Sequence, residues 1–191
     1  MIASNRLSSK PASAAFVGGR QLSSSYLADY ETGGIAINDA NLGLNVQVWR
    51  GRYIGNDLVL DVPDNLLITP QIVLTAAGVT EFSFTFDQLM RPVIAYVQNY
   101  SAKLHVYNND INDFEIIDYG DVITNPRVAI DDKRDGQLSN SDVIFAYINN
   151  GRLYFRQQRD RFLIAYYLGN MSTLHKIGMN AGFRLQFEGE Q

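Results

Sequence analysis

The sequence contains no cysteine, which excludes disulfides, thiol nucleophiles and thiolate metal sites. Histidine is nearly as scarce, with only His105 and His175 present. Neither stands in a His-x-x-x-His pair, beside a serine elbow or at a His/carboxylate spacing, so both read as structural or surface residues. No apolar run approaches the roughly 20 residues a spanning helix needs. The stretch Ala14-Ala15-Phe16-Val17, behind Arg6 and Lys10, is too short for the core of a signal peptide. Basic residues do not dominate either: 16 Lys and Arg face 20 Asp and Glu, for a formal charge of −4. That balance argues against a globally basic nucleic-acid binder. There is no glycine-rich phosphate loop and no dinucleotide fingerprint.

What is abundant is aromatic: 11 Tyr and 10 Phe in 191 residues, a composition that favours strands. A single domain of this length can bury a sizeable core. The clearest pattern is the stretch from Ser141 to Arg156. Two runs rich in Val, Ile, Phe and Tyr flank Asn149-Asn150-Gly151, whose Asn and Gly supply the positive φ angles of a tight hairpin. A similar hairpin stands earlier, Val93 to Val97 and Lys103 to Tyr107. Matching Ala95 with Ala146 sets the offset at 51 residues, and matching Leu104 with Leu153 sets it at 49. The earlier turn is therefore expected to be two residues longer. Repeats of about 40–50 residues built from short strands are the mark of propeller blades and related arrays.

In the first unit the alternating Phe82, Phe84 and Phe86 precede the hairpin and Phe114 to Tyr119 follows it. In the second, Arg127 to Asp131 precedes and Arg161 to Tyr167 follows. The expected fold is all-β, with antiparallel sheets from two propeller-blade-like four-stranded repeats, at about 80–122 and 126–170. These form a sandwich or an incomplete propeller, since closed propellers typically have four to eight blades. Upstream strands are expected at Gly34 to Asp39, Leu44 to Arg50, Asp57 to Asp61 and Gln71 to Thr75. Alternation puts Trp49 opposite Leu44, Val46 and Val48, facing a second layer or a partner. The domain runs from 33 to 191, and residues 1–32, rich in Ser, Ala and Gly, form an extended N-terminal arm. Within the arm, Leu22, Tyr26, Leu27 and Tyr30 could share one face of a short helix.

Candidate chemistry is thin. Asp110-Ile111-Asn112-Asp113 and Asp131 to Asp135 lack the glycine and terminal glutamate of a calcium loop and read as solvated turns. A glycosidase needs two facing carboxylates, and the Ser-x-Asp-x-Gly-x-Thr-Trp turns of propeller sialidases do not occur. The arginines Arg152, Arg156, Arg159 and Arg161, beside Tyr154, form the densest basic patch. Interrupted by Asp160, they fit a surface that pairs with acidic loops of a neighbouring chain better than a nucleic-acid grip. Contacts between subunits are therefore expected at Phe16, Leu22, Tyr26, Tyr30, Trp49 and these four arginines, with the charged loop 132–140 as a further candidate. No catalytic, metal or cofactor residue is assigned.

Five phrases carry a family resemblance: Gly33 to Asp39, Gln47-Val48-Trp49, Ser141 to Tyr147, Leu153 to Phe162, and Ile177 to Phe187. Together they resemble a family of virion proteins from short-tailed bacteriophages. The resemblance implies a non-enzymatic structural part of the tail (adaptor, tube or nozzle), made in the host cytoplasm and resident in the virion. It implies a homo-oligomeric ring of six- or twelve-fold symmetry around the portal axis, touching other tail and portal proteins. DNA would pass without specific binding, helped by a negative lumen, and no membrane span is expected. The alternative is a receptor- or carbohydrate-binding β module using exposed aromatics such as Trp49 and Tyr53.

Overall fold

The computed structural model describes residues 16–17, 20–21, 25–27, 33–38, 47–62, 69–87, 89, 91–131, 142–179 and 185–191. Among them the chain is almost entirely antiparallel β, as the aromatic alternation predicts. A short pair, β1 (Phe16–Val17) and β2 (Arg20–Gln21), comes first. Then follow β3 (Ser25–Leu27), β4 (Gly33–Asn38), β5 (Gln47–Ile54), β6 (Asp57–Asp61) and β7 (Gln71–Thr75). The first repeat supplies β8 (Val79–Phe86), β9 (Pro92–Gln98), β10 (Ser101–Asn108) and β11 (Asp113–Gly120). The second supplies β12 (Thr124–Asp131), β13 (Asp142–Asn149), β14 (Arg152–Gln157) and β15 (Tyr166–Asn170). The chain closes with β16 (Thr173–Met179) and β17 (Leu185–Glu190).

Each repeat is a four-stranded meander in chain order, β8 to β11 and β12 to β15. A seven-stranded sheet completes the fold in the order β17-β16-β3-β4-β5-β6-β7. Within it β4 to β7 form another meander, the first in chain order, so that β8–β11 is the second and β12–β15 the third; β3 bridges the first meander to the β16–β17 pair. The first strands of the units, β4, β8, β12 and β16, lie side by side along one line.

Three apolar layers separate the sheets. Trp49, Leu58, Leu60 and Leu74 of the first meander pack on Phe82, Phe84, Phe86, Ile94 and Tyr96. The opposite face of the second meander, with Val93, Ala95 and Leu104, meets Val128, Val143, Phe145 and Tyr147 of the third. Beyond that, Ala146, Ile148 and Leu153 meet Leu174 and Ile177 of β16. Strands buried on both faces read as continuous apolar runs instead of alternating ones, and Val143 to Ile148 in β13 is such a run, buried throughout.

The structure corrects three sequence expectations. Both central hairpins have two-residue turns, with Gln98 opposite Ser101 and Asn149 opposite Arg152. The offset is thus 51 on both arms, and Leu104 corresponds to Phe155, not to Leu153. Asn99 and Tyr100 take φ of 51° and 67° without any glycine, because asparagine tolerates the left-handed region and opens the turn. Second, Arg161 to Ala165 is not strand. A 3-10 turn at Gln158–Asp160 leads into two left-handed residues, and β15 begins only at Tyr166. Third, Ser25–Leu27 is a strand hydrogen-bonded into a sheet and not part of a helix; the serines before Tyr26 compete for backbone hydrogen bonds and favour non-helical backbone. The loop 132–140 lies outside the described residues.

Gly51 shows how tightly the first layer closes. A β-carbon there would sit 2.7 Å and 2.8 Å from ring atoms of Phe84 and Phe82, both buried. Gly51→Ala is expected to cost about 1–3 kcal/mol through overpacking, read as a shift of the urea midpoint with unchanged m-value.

Candidate interaction surface

The outer rim of the third meander is where side chains and backbone depart most from what strand pairing alone dictates. Leaving β14, the chain makes the 3-10 turn and then places Arg161 and Phe162 at φ of 53° and 57°. Two bulky residues in the left-handed region carry strain and need outside support. Arg156 provides it: its Nη1 donates to the carbonyls of Phe162 at 2.9 Å and Leu163 at 2.6 Å, and its Nε to the Tyr147 hydroxyl at 3.1 Å. The guanidinium also lies over the rings of Tyr119 and Tyr147, 5.0 Å and 5.7 Å from their centroids, where cation–π attraction adds to the hold. The Tyr119 hydroxyl donates to the Phe162 carbonyl as well, at 3.3 Å. Burial pushes the Tyr119 phenol well above its ordinary range, with the Arg156 charge pulling it only partly back, so it remains a donor.

The turn before it is fastened separately. The buried carboxylate of Asp142 accepts from the Arg159 backbone N–H at 2.9 Å and from its Nε at 2.5 Å. Asp160 accepts the Tyr166 hydroxyl at 2.7 Å, and Arg161 pairs with Asp110 on the β10–β11 turn. Behind these bonds a file of rings, Tyr119, Phe145, Tyr147, Tyr154 and Tyr167, runs with centroids 5.0–5.9 Å apart.

The bracing tucks Phe162 into the core and turns its neighbours outward. Phe162 is 3% exposed, whereas Leu163 is 74% exposed, with Ile164, Tyr167 and Leu168 about half exposed. From Leu163 to Asn170 there is no charged residue, and β15 is an edge strand with one unpaired side. A fixed, apolar, uncharged sheet edge is what proteins ordinarily avoid unless something covers it.

The structure places the residues singled out from sequence as follows. Arg152 is exposed, and among the described residues its side chain has no hydrogen-bond or ion-pair partner. Arg156, Arg159 and Arg161 are engaged inside their own chain, so acidic loops of a neighbour are not needed to satisfy them. Trp49 is 7% exposed and packs on Phe86 at 5.5 Å; it covers a second layer and does not face outward, because the Phe strand gives it an internal partner. Tyr53 donates to the Ala76 carbonyl. Phe16 lies on β1 and Tyr26 on β3, opposite Lys176 and Ile35; Leu22 and Tyr30 lie outside the described residues. Sequence reasoning missed Leu163, Ile164, Tyr167 and Leu168. Their signal was present: four apolar residues with no charge among them, placed after a basic run.

His105 carries no catalytic partner set. It stacks on Phe114 at 4.7 Å, is buried, and its Nδ1 has no hydrogen-bond partner. Burial holds its pKa below the ordinary imidazole value, against a small opposing pull from Asp113. The unfolded chain therefore binds more protons just below pH ~6.5, and stability falls as pH drops through that window. His105→Gln is expected to flatten this part of a melting-temperature profile. An unchanged slope would place the titrating group elsewhere.

The described residues include no group of three or more His, Asp or Glu able to hold a metal, and no helix long and apolar enough to cross a membrane. The fold and rim together define an all-β chain with a braced, outward-facing apolar edge. No family model, curated protein or solved structure matches it.

Proposed function

We propose that the chain is a non-enzymatic structural component of a phage tail, an adaptor, tube or nozzle subunit. Several copies would form a ring around the portal axis and line part of the DNA-ejection conduit. The observation that carries this reading is the rim from Leu163 to Asn170: apolar, uncharged and held rigid from behind by Arg156 and Asp142. Sheet edges of this kind are covered by assembly. The resemblance of Gly33 to Asp39, Ser141 to Tyr147 and Ile177 to Phe187 to short-tailed-phage virion proteins supplies the setting.

The finer architecture proposed is propeller-like. Three four-stranded meanders and the β16–β17 pair present their first strands to a common line, and β3 ties the last pair back to the first meander. The N-terminal arm is proposed to reach a neighbouring subunit. Net acidity lets DNA slide past without adhering. A carbohydrate-binding module is the weaker reading, because Trp49 is buried and the half-buried Tyr53 spends its hydroxyl on the Ala76 carbonyl.

Light scattering on the purified protein tests this reading. A mass that is a six- or twelve-fold multiple of the 21.4 kDa chain supports it. A monomer at every concentration tried, together with selective hits on a glycan array, overturns it.

A further inference from the structure

We infer that copies associate by seating the β15 edge of one on the β11 edge of the next. The inference rests on the multi-copy reading and names the two surfaces that meet. Among the described residues, the three larger sheets offer four outer edges: β7, β11, β15 and β17. On β17 the carboxylates of Glu188 and Glu190 are turned back to Lys176 and His175 of its own partner strand. On β7 the exposed apolar side chain is Ile72 alone. The other two edges are apolar; β11 is acidic, and β15, itself uncharged, follows a basic segment. β11 exposes Phe114 and Ile116, and from Asp110 to Asp121 the chain has Asp110, Asp113, Glu115, Asp118 and Asp121 with no Lys or Arg. The segment leading to and including β15 has four arginines against the single acid Asp160.

The two signs already meet once within a chain, where Arg161 pairs with Asp110. Among the described residues Arg152 remains without a carboxylate, and Glu115 and Asp121 without a cation. Antiparallel strand addition would satisfy the idle backbone groups of both edges, bury the exposed Leu, Ile, Tyr and Phe side chains, and bring the acids of β11 towards Arg152 on β14, directly behind β15. Like-with-like pairing is less favoured, since β11 on β11 brings acids together and β15, itself uncharged, gains no opposite charge from a second β15. A contact between two different surfaces is head-to-tail and repeats from copy to copy.

The absence of cysteine makes this directly testable. Cysteines introduced at Tyr167 or Leu168, each combined with one at Phe114 or Ile116, sample the registers within which a disulfide can close. All four sites are exposed, and an unchanged melting temperature shows that each variant folds. Under mild oxidation at least one double variant is expected to give a ladder of reducible oligomers on a denaturing gel. Mixing the matching single variants should give dimers only, and each single variant alone should remain monomeric. Dimers from Leu168→Cys or Ile116→Cys alone would overturn the pairing, as would a panel with no ladder from protein that light scattering shows to be assembled. Wild-type protein that stays monomeric in light scattering sinks the multi-copy reading itself, a separate result.

Discussion

Replacing Arg127 with leucine should cost the protein about 3–5 kcal/mol and lower its melting temperature by roughly 10 °C or more. Arg127 is 1% exposed and belongs to β12, one of the strands that share the central line. Its Nη1 lies 2.5 Å from the Glu81 carboxylate of β8, its Nε donates to the His175 carbonyl of β16 at 2.6 Å, and Nη1 also reaches the Pro126 carbonyl at 2.9 Å. One guanidinium thus ties three units together. Strands that meet here cannot all pair by backbone, and the seam is closed instead by side-chain bonds, including the Val128 N–H donating to the Ser83 hydroxyl. Leucine fills the volume but leaves buried carbonyls without donors and Glu81 without its counter-charge. Arg127→Lys should recover only part of the loss, because an ammonium cannot span acceptors in three directions as a planar fork does. A double-mutant cycle with Glu81→Gln should show coupling of about 0.5–3 kcal/mol. Melting temperatures unchanged by Arg127→Leu would remove Arg127 from this role.

Arg156→Ala is the second large effect expected, at about 2–4 kcal/mol, from loss of hydrogen bonds to a charged donor at a half-buried site. Its signature should be local. Without the guanidinium, the left-handed pair Arg161–Phe162 loses its main support, and the carbonyls of Phe162 and Leu163 lose their donor. Hydrogen exchange at residues 161–165 should accelerate well beyond the change elsewhere, and self-association should fail even where the chain is still folded. Arg156→Lys should restore a minority of the stability, since lysine cannot stack on Tyr119 and Tyr147 while reaching both carbonyls. Exchange that rises uniformly along the chain would reduce Arg156 to an ordinary core contact.

These two arginines also mark the limit of what the sequence reveals. Phe82, Phe84 and Phe86 announce their strand by period alone, and Asn150-Gly151 announces its turn by the φ angles those residues accept. Local rules suffice there. The Asn99-Tyr100 turn obeys the same geometry, but tyrosine hides it. Arg127 sits in a strand that reads as ordinary, and its meaning depends on a carbonyl 48 residues away. Likewise Arg161 to Tyr167 has strand composition throughout, and its first part is held as a turn by side chains reaching from other strands, Arg156 and Tyr119 foremost. The arginine run drew notice as a basic surface, yet most of its charge is spent on internal bracing. The exposed side chains that the bracing presents were overlooked because exposure of Leu163 is a tertiary outcome, set by the burial of Phe162 beside it.

Single-particle imaging of the purified protein tests the central claim most directly. Closed annuli with an axial opening are expected, built from repeated copies that touch through the rims carrying Tyr167 and Ile116. Isolated compact particles, each no larger than one 21.4 kDa chain even at high concentration, would contradict it.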